Sequence, residues 1–325
     1  MLAPMALRHL HQTGAPVTCD HLRPASRPVP QVRRVLQFRL RPPQDQPRRP
    51  RVCLWSCVGG SERRFGPALA RKHWDVRTTQ DILLDVATAP ASGGGAATVQ
   101  SAQDAILAAV QVTPLDIKRL RGLCQRLPDG TYNPAWLAAR RWRLTASSFH
   151  AVRRARRHRQ LAESLLEGWW YRGTEPRQAR ALDFESKALR GYARRLPEDA
   201  AGGCVRLAAV GTLVAQGTPW LAASPDAMVL AADGEPLRLV EVKSQGLAMR
   251  AGCPAWAQVQ GAMAIASGSF DRPVHRCAVI TPKEVYSVRF DAQWWQAHLQ
   301  RLRDFYFGAF LPVAAQQIVD RATGL

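Results

Sequence analysis

Three charged side chains, Asp226, Glu241 and Lys243, have types and spacing that suit metal-assisted hydrolysis. Glu241 and Lys243 are two positions apart, so a strand would point both toward one face. Asp233-Gly234 is a turn signal, and a hairpin folded there would bring Asp226 beside Glu241. Adjacent carboxylates repel, and a divalent cation relieves that repulsion; oxygen ligands favour Mg²⁺, with Mn²⁺ as a substitute. A neighbouring ammonium orients the attacking water and offsets transition-state charge, which indicates phosphodiester hydrolysis.

The elements around these residues alternate between helical and strand periods, which indicates an α/β or α+β fold. Strands are predicted over 205–214, 220–230 and 237–243, and a hairpin over 275–281 and 285–290. Helices are predicted near 100–110, from Asn133-Pro134 through Arg141, and over 182–196, 255–266 and 293–307.

Glu185 lies on the inward face of the predicted helix 182–196, at helical spacing from Ala188 and Tyr192. A carboxylate on the core side of a helix is costly unless a cation meets it. Glu185 therefore either contributes to the acidic site or forms a boundary pair with one of the many arginines.

The segment 136–310 resembles the YqaJ-like viral recombinase exonucleases, which include lambda exonuclease and are related to herpesvirus alkaline nucleases. The matching pieces occur in the family's order: Arg140 with Leu144-Thr145-Ala146-Ser147, Glu185 with Ala188 and Tyr192, Ser224-Pro225-Asp226, Glu241-Val242-Lys243, and Gln258-Val259-Gln260. The resemblance implies a PD-(D/E)XK restriction-endonuclease-like core, in which helices flank a central mixed sheet.

The resemblance also implies a role for each matching position. Asp226, Glu241 and Glu185 would hold Mg²⁺, and Lys243 would act at the nucleophilic water. Gln258 would support the site, with Gln260 as the alternative. The family's 5′-phosphate-binding positions correspond to Arg140, Ser147 and Ser224, a set whose charge and hydroxyls suit a phosphate.

The chain departs from the family pattern at Ala227, where glycine usually follows Ser-Pro-Asp. Glycine permits backbone angles that alanine resists, so a different or strained turn is expected there. Arg180-Ala181 likewise replaces the Trp-Gly pair that usually precedes the helical glutamate, and Ser244-Gln245 stand where a proline often follows the lysine.

The chain has 325 residues and a formal net charge of +20, with 45 Lys and Arg against 25 Asp and Glu. This charge favours a nucleic-acid partner, although a GC-rich genome would also enrich arginine. We expect residues 1–112 to form an Arg- and Pro-rich, largely irregular region with a linker near 89–97. Residues 113–325 would form the exonuclease domain.

Seven scattered cysteines favour reduced thiols and an intracellular location, with zinc at Cys53 and Cys57 as the weaker alternative. The location would be the nucleus in a eukaryote and the cytoplasm in a phage or bacterium; the Arg-rich N-terminus leaves mitochondrial targeting open. The sequence contains no apolar run long enough to span a membrane.

The leading functional hypothesis is a Mg²⁺-dependent 5′-to-3′ exonuclease on double-stranded DNA ends, acting in recombination or repair. Its partners would be duplex DNA, with a single-strand annealing protein and further copies of the chain as open alternatives. Two other hypotheses remain: an endonuclease with the same core, and a catalytically degenerate, domesticated protein that only binds DNA.

Overall fold

The computed structural model describes residues 32–37, 98–127, 131–167, 176–196, 205–246, 248–270 and 272–323. The side chains of 32–37 and 176–182 lie outside this description. Cys53, Cys57 and the predicted linker also lie outside the described residues. Within the described part, no helix is both long and apolar enough to cross a membrane.

A six-stranded mixed sheet forms the centre of the fold, with the strand order β1-β9-β8-β7-β6-β3. The strands are β1 Val32–Gln37, β3 Arg206–Ala208, β6 Ala227–Leu230, β7 Pro236–Val242, β8 Arg276–Ile280 and β9 Glu284–Arg289. Strands β7 and β8 are parallel, and the other neighbours are antiparallel. A parallel pair needs a crossover, which helix α7 (Pro254–Ser267) provides.

A smaller sheet of three strands has the order β2-β5-β4, with β2 Leu144–Thr145, β4 Leu213–Ala215 and β5 Thr218–Ala223. The predicted strands 205–214 and 220–230 are therefore wrong as single strands, because each divides between the two sheets. Pro225 has no amide hydrogen for a ladder, so the second break falls at Ser224-Pro225-Asp226. The first break lies at Gly211 and Thr212, whose amides donate instead to the carbonyls of Arg121 and Leu120.

Helices cover both faces of the large sheet, which confirms the predicted α/β class with a mixed sheet between helices. Helix α6 (Pro176–Ala193) packs one face against Val229, Val240 and Ile280. The other face buries Met228, Leu239 and Val279 against five helices and α7: α1 Val99–Val110, α4 Phe149–Arg154, α5 His158–Glu167, α8 Ala292–Phe305 and α9 Leu311–Ala322. Successive strand residues alternate between these two cores, as strand geometry requires.

The remaining helices are α2 Pro114–Gly122, α3 Pro134–Arg141 and a 3₁₀ turn at Ala146–Ser148. Asn133 caps α3 through its side-chain oxygen, with Pro134 in the first turn, as predicted. The predicted closing helix does not end at 307. A π-helical turn at Tyr306–Phe310 continues it into α9.

Two regular elements lie within the region predicted to be largely irregular, and the first of them confirms the helix predicted near 100–110. Helix α1 buries Ala102, Ile106 and Val110 in the same core as the C-terminal helix α9. Strand β1 pairs with β9 at the edge of the large sheet. Packing of the described chain therefore begins before residue 113.

Candidate active site

Asp226 and Glu241 come together at the end of the β6–β7 hairpin. The turn at Asp233-Gly234 forms as predicted, and Gly234 adopts a φ of 86° there. Ala227 pairs with Val240, and beyond this pair the amide of Val242 donates to Asp226 Oδ2 at 2.6 Å. The Asp226 carboxylate thus extends the ladder and lies beside Glu241.

Ala227 itself is the first residue of β6 and is fully packed in the core beneath α6. Its extended conformation is one that alanine adopts without strain. The expected strain at the residue after Ser-Pro-Asp is therefore absent, because no left-handed backbone is required at Ala227.

Lys243 and Gln258 form a closed set of contacts with Glu241. Lys243 Nζ lies 2.8 Å from both Glu241 Oε1 and Gln258 Oε1, and Gln258 Nε2 donates to Glu241 Oε1 at 2.6 Å. The Glu241 side chain is 5% exposed and that of Lys243 25%. Glu241 and Lys243 therefore form a partly enclosed ion pair and not a solvated surface pair.

Gln258, and not Gln260, faces the site. Gln260 is fully buried and turns away: its amide donates to the carbonyl of Arg289, and its oxygen accepts from the amide of Asp291. Helix positions two residues apart lie on different faces, so the register of α7 determines that Gln258, and not Gln260, faces the site.

Glu185 reaches the same site from α6, on the opposite side of the sheet. Burial raises its pKa, and the charge of Glu241 raises it further, whereas Arg126 and Lys243 lower it. These interactions place the carboxylate close to Glu241 and Lys243.

The neighbouring charges shift the pKa values of Asp226 and Lys243. Burial raises the pKa of Asp226 well above its usual value, and the charges of Glu241 and Glu185 add to this, while the hydrogen bond from Val242 opposes it. For Lys243, burial lowers the pKa, but the charge and hydrogen bond of Glu241 and the charge of Asp226 outweigh it and raise the pKa. Lys243 therefore stays protonated among carboxylates that repel each other.

Asp226 and Glu241 have the donor chemistry that a hard divalent cation prefers, and their mutual repulsion is what a cation would relieve. As the side chains stand, no group of three or more His, Cys, Asp or Glu among the described residues is arranged to hold a metal ion. Lys243 already neutralises one side of Glu241. The residues present thus fit a cation held chiefly by Asp226 and Glu241, with Glu185 nearby.

A small pocket adjoins this acidic group and contains all three candidate phosphate-binding side chains. It is lined by Arg140, Thr145, Ala146, Ser147, Ala223, Ser224, Pro225, Glu241, Gln258 and Ala262. Glu241 and Gln258 therefore line the same pocket as the three candidate phosphate-binding side chains.

Parallel pairing in the small sheet explains why Ser147 and Ser224 line the same pocket. Leu144 lies opposite Leu221 and Thr145 opposite Ala222, so both chains leave the sheet at the same end. Ser147 lies two positions after the end of β2, and Ser224 directly follows β5. Their hydroxyls are near those of Thr145, at 3.1 Å, and Thr212, at 3.5 Å.

Two further contributions were not predicted from the sequence. Gln125 Nε2 donates to the carbonyls of Val210 and Pro225, at 3.1 and 3.0 Å, and so holds the Ser-Pro-Asp turn. Arg126, the next residue, carries a charge that acts on Glu185. No motif marks either residue. Gln125 lies 100 positions before Pro225, and Arg126 lies 59 positions before Glu185, so nearby residues do not predict either interaction.

Comparison with known proteins gives a distant structural similarity. No family model matches the sequence, and no curated protein matches it. Two crystal structures of the alkaline exonuclease LHK-Exo, from Laribacter hongkongensis, are similar to the chain; one is a complex with dAMP. They are 17% and 18% identical to it, with TM-scores of 0.41 and 0.42, and the similarity covers 58% of this chain and 97% of theirs.

Proposed function

We propose that this protein is a metal-dependent deoxyribonuclease with a PD-(D/E)XK active site. One observation supports the proposal above the others. Glu241 belongs both to the buried acidic group and to the lining of the pocket. The group also contains Asp226 and Lys243, and the pocket is also lined by Arg140, Ser147 and Ser224. Acid, cation and phosphate-binding groups in one cleft are what phosphodiester hydrolysis requires.

Each side chain has a definite task in this proposal. Asp226 and Glu241 would hold Mg²⁺ or Mn²⁺, which supplies an acidified water and charge stabilisation at the phosphate. Lys243, kept protonated by Glu241, orients the attacking water and offsets the negative charge that develops on the phosphate oxygens. Gln258 fixes Lys243 and Glu241 relative to each other, and Glu185 adjusts the charge of the acidic group.

The pocket suggests which bond is attacked. A terminal phosphate held by Arg140, Ser147 and Ser224 would place the adjacent phosphodiester near Glu241. The pocket supports action at a strand end, and the resemblance to the YqaJ-like exonucleases implies the 5′-to-3′ direction on duplex ends, in recombination or repair. The product, a 3′ single strand, is the substrate class that a single-strand annealing protein would take up.

The direct test is digestion of 5′-phosphorylated linear duplex in the presence of Mg²⁺. Wild type should degrade it, whereas Lys243→Ala and Asp226→Ala should be slower by about a hundredfold or more. Lys187→Ala is the matched control, because Lys187 also pairs with an acid (Asp183, 2.6 Å) but does so on the exposed surface of α6. Equal residual activity in wild type, Lys243→Ala and Asp226→Ala would exclude the proposed site.

The same assay separates the alternatives. An exonuclease leaves covalently closed circular DNA intact, whereas an endonuclease of the same core nicks it. A protein that only binds DNA retards both substrates in a gel and turns over neither. The contacts among Asp226, Glu241, Lys243 and Gln258 favour turnover over binding alone.

A further inference from the structure

Two aromatic rings form a stack beside the phosphate pocket, with a guanidinium on each outer face. Tyr132 and Trp136 are parallel within 6°, with ring centroids 5.4 Å apart. Arg126 lies over Tyr132 at 3.9 Å, and Arg140 lies over Trp136 at 4.2 Å. The order is cation, ring, ring, cation, in which each contact has favourable geometry.

Each end of the stack meets a different part of the proposed site. Arg140 lines the phosphate pocket. Arg126 lies on the carboxylate side, where its charge acts on Glu185 and opposes the effect of burial on the pKa of that group. The stack thus has one end at the pocket and the other within electrostatic reach of Glu185.

The segments that bear the stack are fixed to the rest of the site. Gln125, next to Arg126, holds the carbonyl of Pro225. Asn133, next to Tyr132, donates through its side chain to Cys124 and through its amide to Gln125. Trp136 is 3% exposed and lies one helical turn before Arg140 on α3, so a fixed, buried ring faces the guanidinium.

We propose that Trp136 and Tyr132 are positioning residues of the nuclease, which hold the guanidinium of Arg140 in the orientation that receives a terminal phosphate. This proposal rests on the proposed function. A guanidinium on a flexible side chain loses rotational freedom when it binds phosphate. Stacking on a fixed ring removes that freedom beforehand, so the loss of the ring weakens phosphate recognition even though Arg140 remains.

The quantity to measure is the ratio of kcat/KM on 5′-phosphorylated duplex to that on 5′-hydroxyl duplex. Trp136→Leu should lower this ratio about tenfold and Tyr132→Leu by less, while Trp136→Phe, which keeps a ring, stays within about threefold of wild type. In an Arg140→Gln background, Trp136→Leu should lower it no further, because the two residues act as a unit.

Phe270→Leu is the matched control. It also removes a ring beneath an arginine, since Arg121 lies 4.2 Å over Phe270, but neither residue lines the pocket. Its ratio should equal that of wild type. Thermal unfolding identifies any variant that fails to fold. If Trp136→Leu fails to fold, the ratios measured for Tyr132→Leu, at a half-buried position, and for Trp136→Phe test the proposal.

Equal losses on both duplexes in Trp136→Leu and Tyr132→Leu would overturn the proposal and reduce the stack to packing. Wild-type cleavage that ignores the terminal phosphate would also overturn it, yet would leave the nuclease itself standing. If wild type cleaves nothing, the proposed function fails. In that case, fluorescence anisotropy with the same two duplexes, in the absence of metal, gives the ratio of their binding affinities. This ratio tests the positioning role in the same way.

Discussion

Asp226 occupies a position that is unfavourable for folding and useful for a nuclease. Its carboxylate is held by the amide of Val242, yet burial and the neighbouring charges of Glu241 and Glu185 raise its pKa. A carboxylate whose pKa is raised in the folded state destabilises that state above the pKa of the unfolded chain. Such stored repulsion is common at functional sites and is released when a cation binds.

Asp226→Asn should therefore stabilise the metal-free protein at neutral pH while it abolishes cleavage. Asparagine keeps an oxygen that accepts from Val242 but removes one charge, and we expect a gain of about 1 kcal/mol in the free energy of unfolding. The difference from wild type should shrink as the pH falls through the raised pKa of Asp226, because wild type then loses the same charge. Thermal unfolding in EDTA measures this.

Metal binding provides the complementary measurement on the same two proteins. Mg²⁺ or Mn²⁺ at a hundredfold excess over its dissociation constant should stabilise wild type by about 2.7 kcal/mol. The Asp226→Asn variant should gain much less over the same titration. A shift of equal size in both proteins would show that the cation binds elsewhere.

Arg143 contrasts with Arg140, although both are buried and only three positions apart. Arg143 donates to three carbonyls, those of Val110, Ala139 and Pro219, and thereby ties α1, α3 and β5 together. Burial lowers its pKa to about 10. All of its partners are main-chain groups of the core, so its role is structural.

Arg143→Gln should consequently lower the free energy of unfolding by about 3 kcal/mol, because three buried carbonyls lose a charged donor. Urea denaturation followed by circular dichroism tests this value. Arg119→Gln is a suitable control, since Arg119 is half exposed and pairs only loosely with Asp116, at 3.8 Å. An equal loss in both variants would contradict the structural role of Arg143.

At the scale of elements, the site depends on close contact between the end of α2 and the strand region before β4. The amides of Gly211 and Thr212 donate to the carbonyls of Arg121 and Leu120, and this contact brings Gln125 to the Ser-Pro-Asp turn. A side chain at Gly211 would overlap the carbonyl oxygen of Leu123 and lie 2.5 Å from that of Leu120. Both obstacles are backbone atoms, so the segment would have to shift.

Gly211→Ala should thus lower the free energy of unfolding by about 2 kcal/mol and also slow cleavage, since the Pro225 carbonyl loses its support. Gly217→Ala is the matched control: it lies nearby in sequence, and a side chain there meets nothing within 4 Å. Denaturation and digestion assays on both variants test the link. A slow but fully stable Gly211→Ala protein would separate the two effects.

The sequence predicted those elements whose evidence is local. The Asp233-Gly234 turn and the Asn133 cap are predicted from adjacent residues, and the structure confirms both the hairpin and α3. Part of what the sequence missed depends on distant contacts. The small sheet arises from a two-residue parallel pairing of β2 with β5, and short parallel strands leave no periodic pattern. The Tyr132–Trp136 stack was missed for another reason: its residues are only four positions apart, but spacing alone does not give the orientation of the rings.

At the scale of the whole molecule, a chain with an excess of positive charge contains a site that is rich in carboxylates. The formal net charge of +20 favours association with a polyanion, whereas Asp226, Glu241 and Glu185 oppose it locally. On the proposed function, general attraction would bring DNA to the protein, and the acidic group would accept it once Lys243 or a cation offsets the negative charge. Binding and cleavage should depend on different residues.

The last prediction separates these two contributions. DNA affinity should fall steeply with salt, by about a thousandfold between 50 and 200 mM if six phosphates are neutralised, because each contact releases a counterion. Asp226→Asn should keep that slope, since the surface charges are intact, and should bind as tightly as wild type or slightly more tightly while it cleaves nothing. Anisotropy titrations in EDTA over a salt series measure the slope for both proteins. A flat slope would show that the excess of arginine is compositional and does not serve DNA binding, whereas a steep slope with unimpaired cleavage by Asp226→Asn would move the chemistry away from the acidic group.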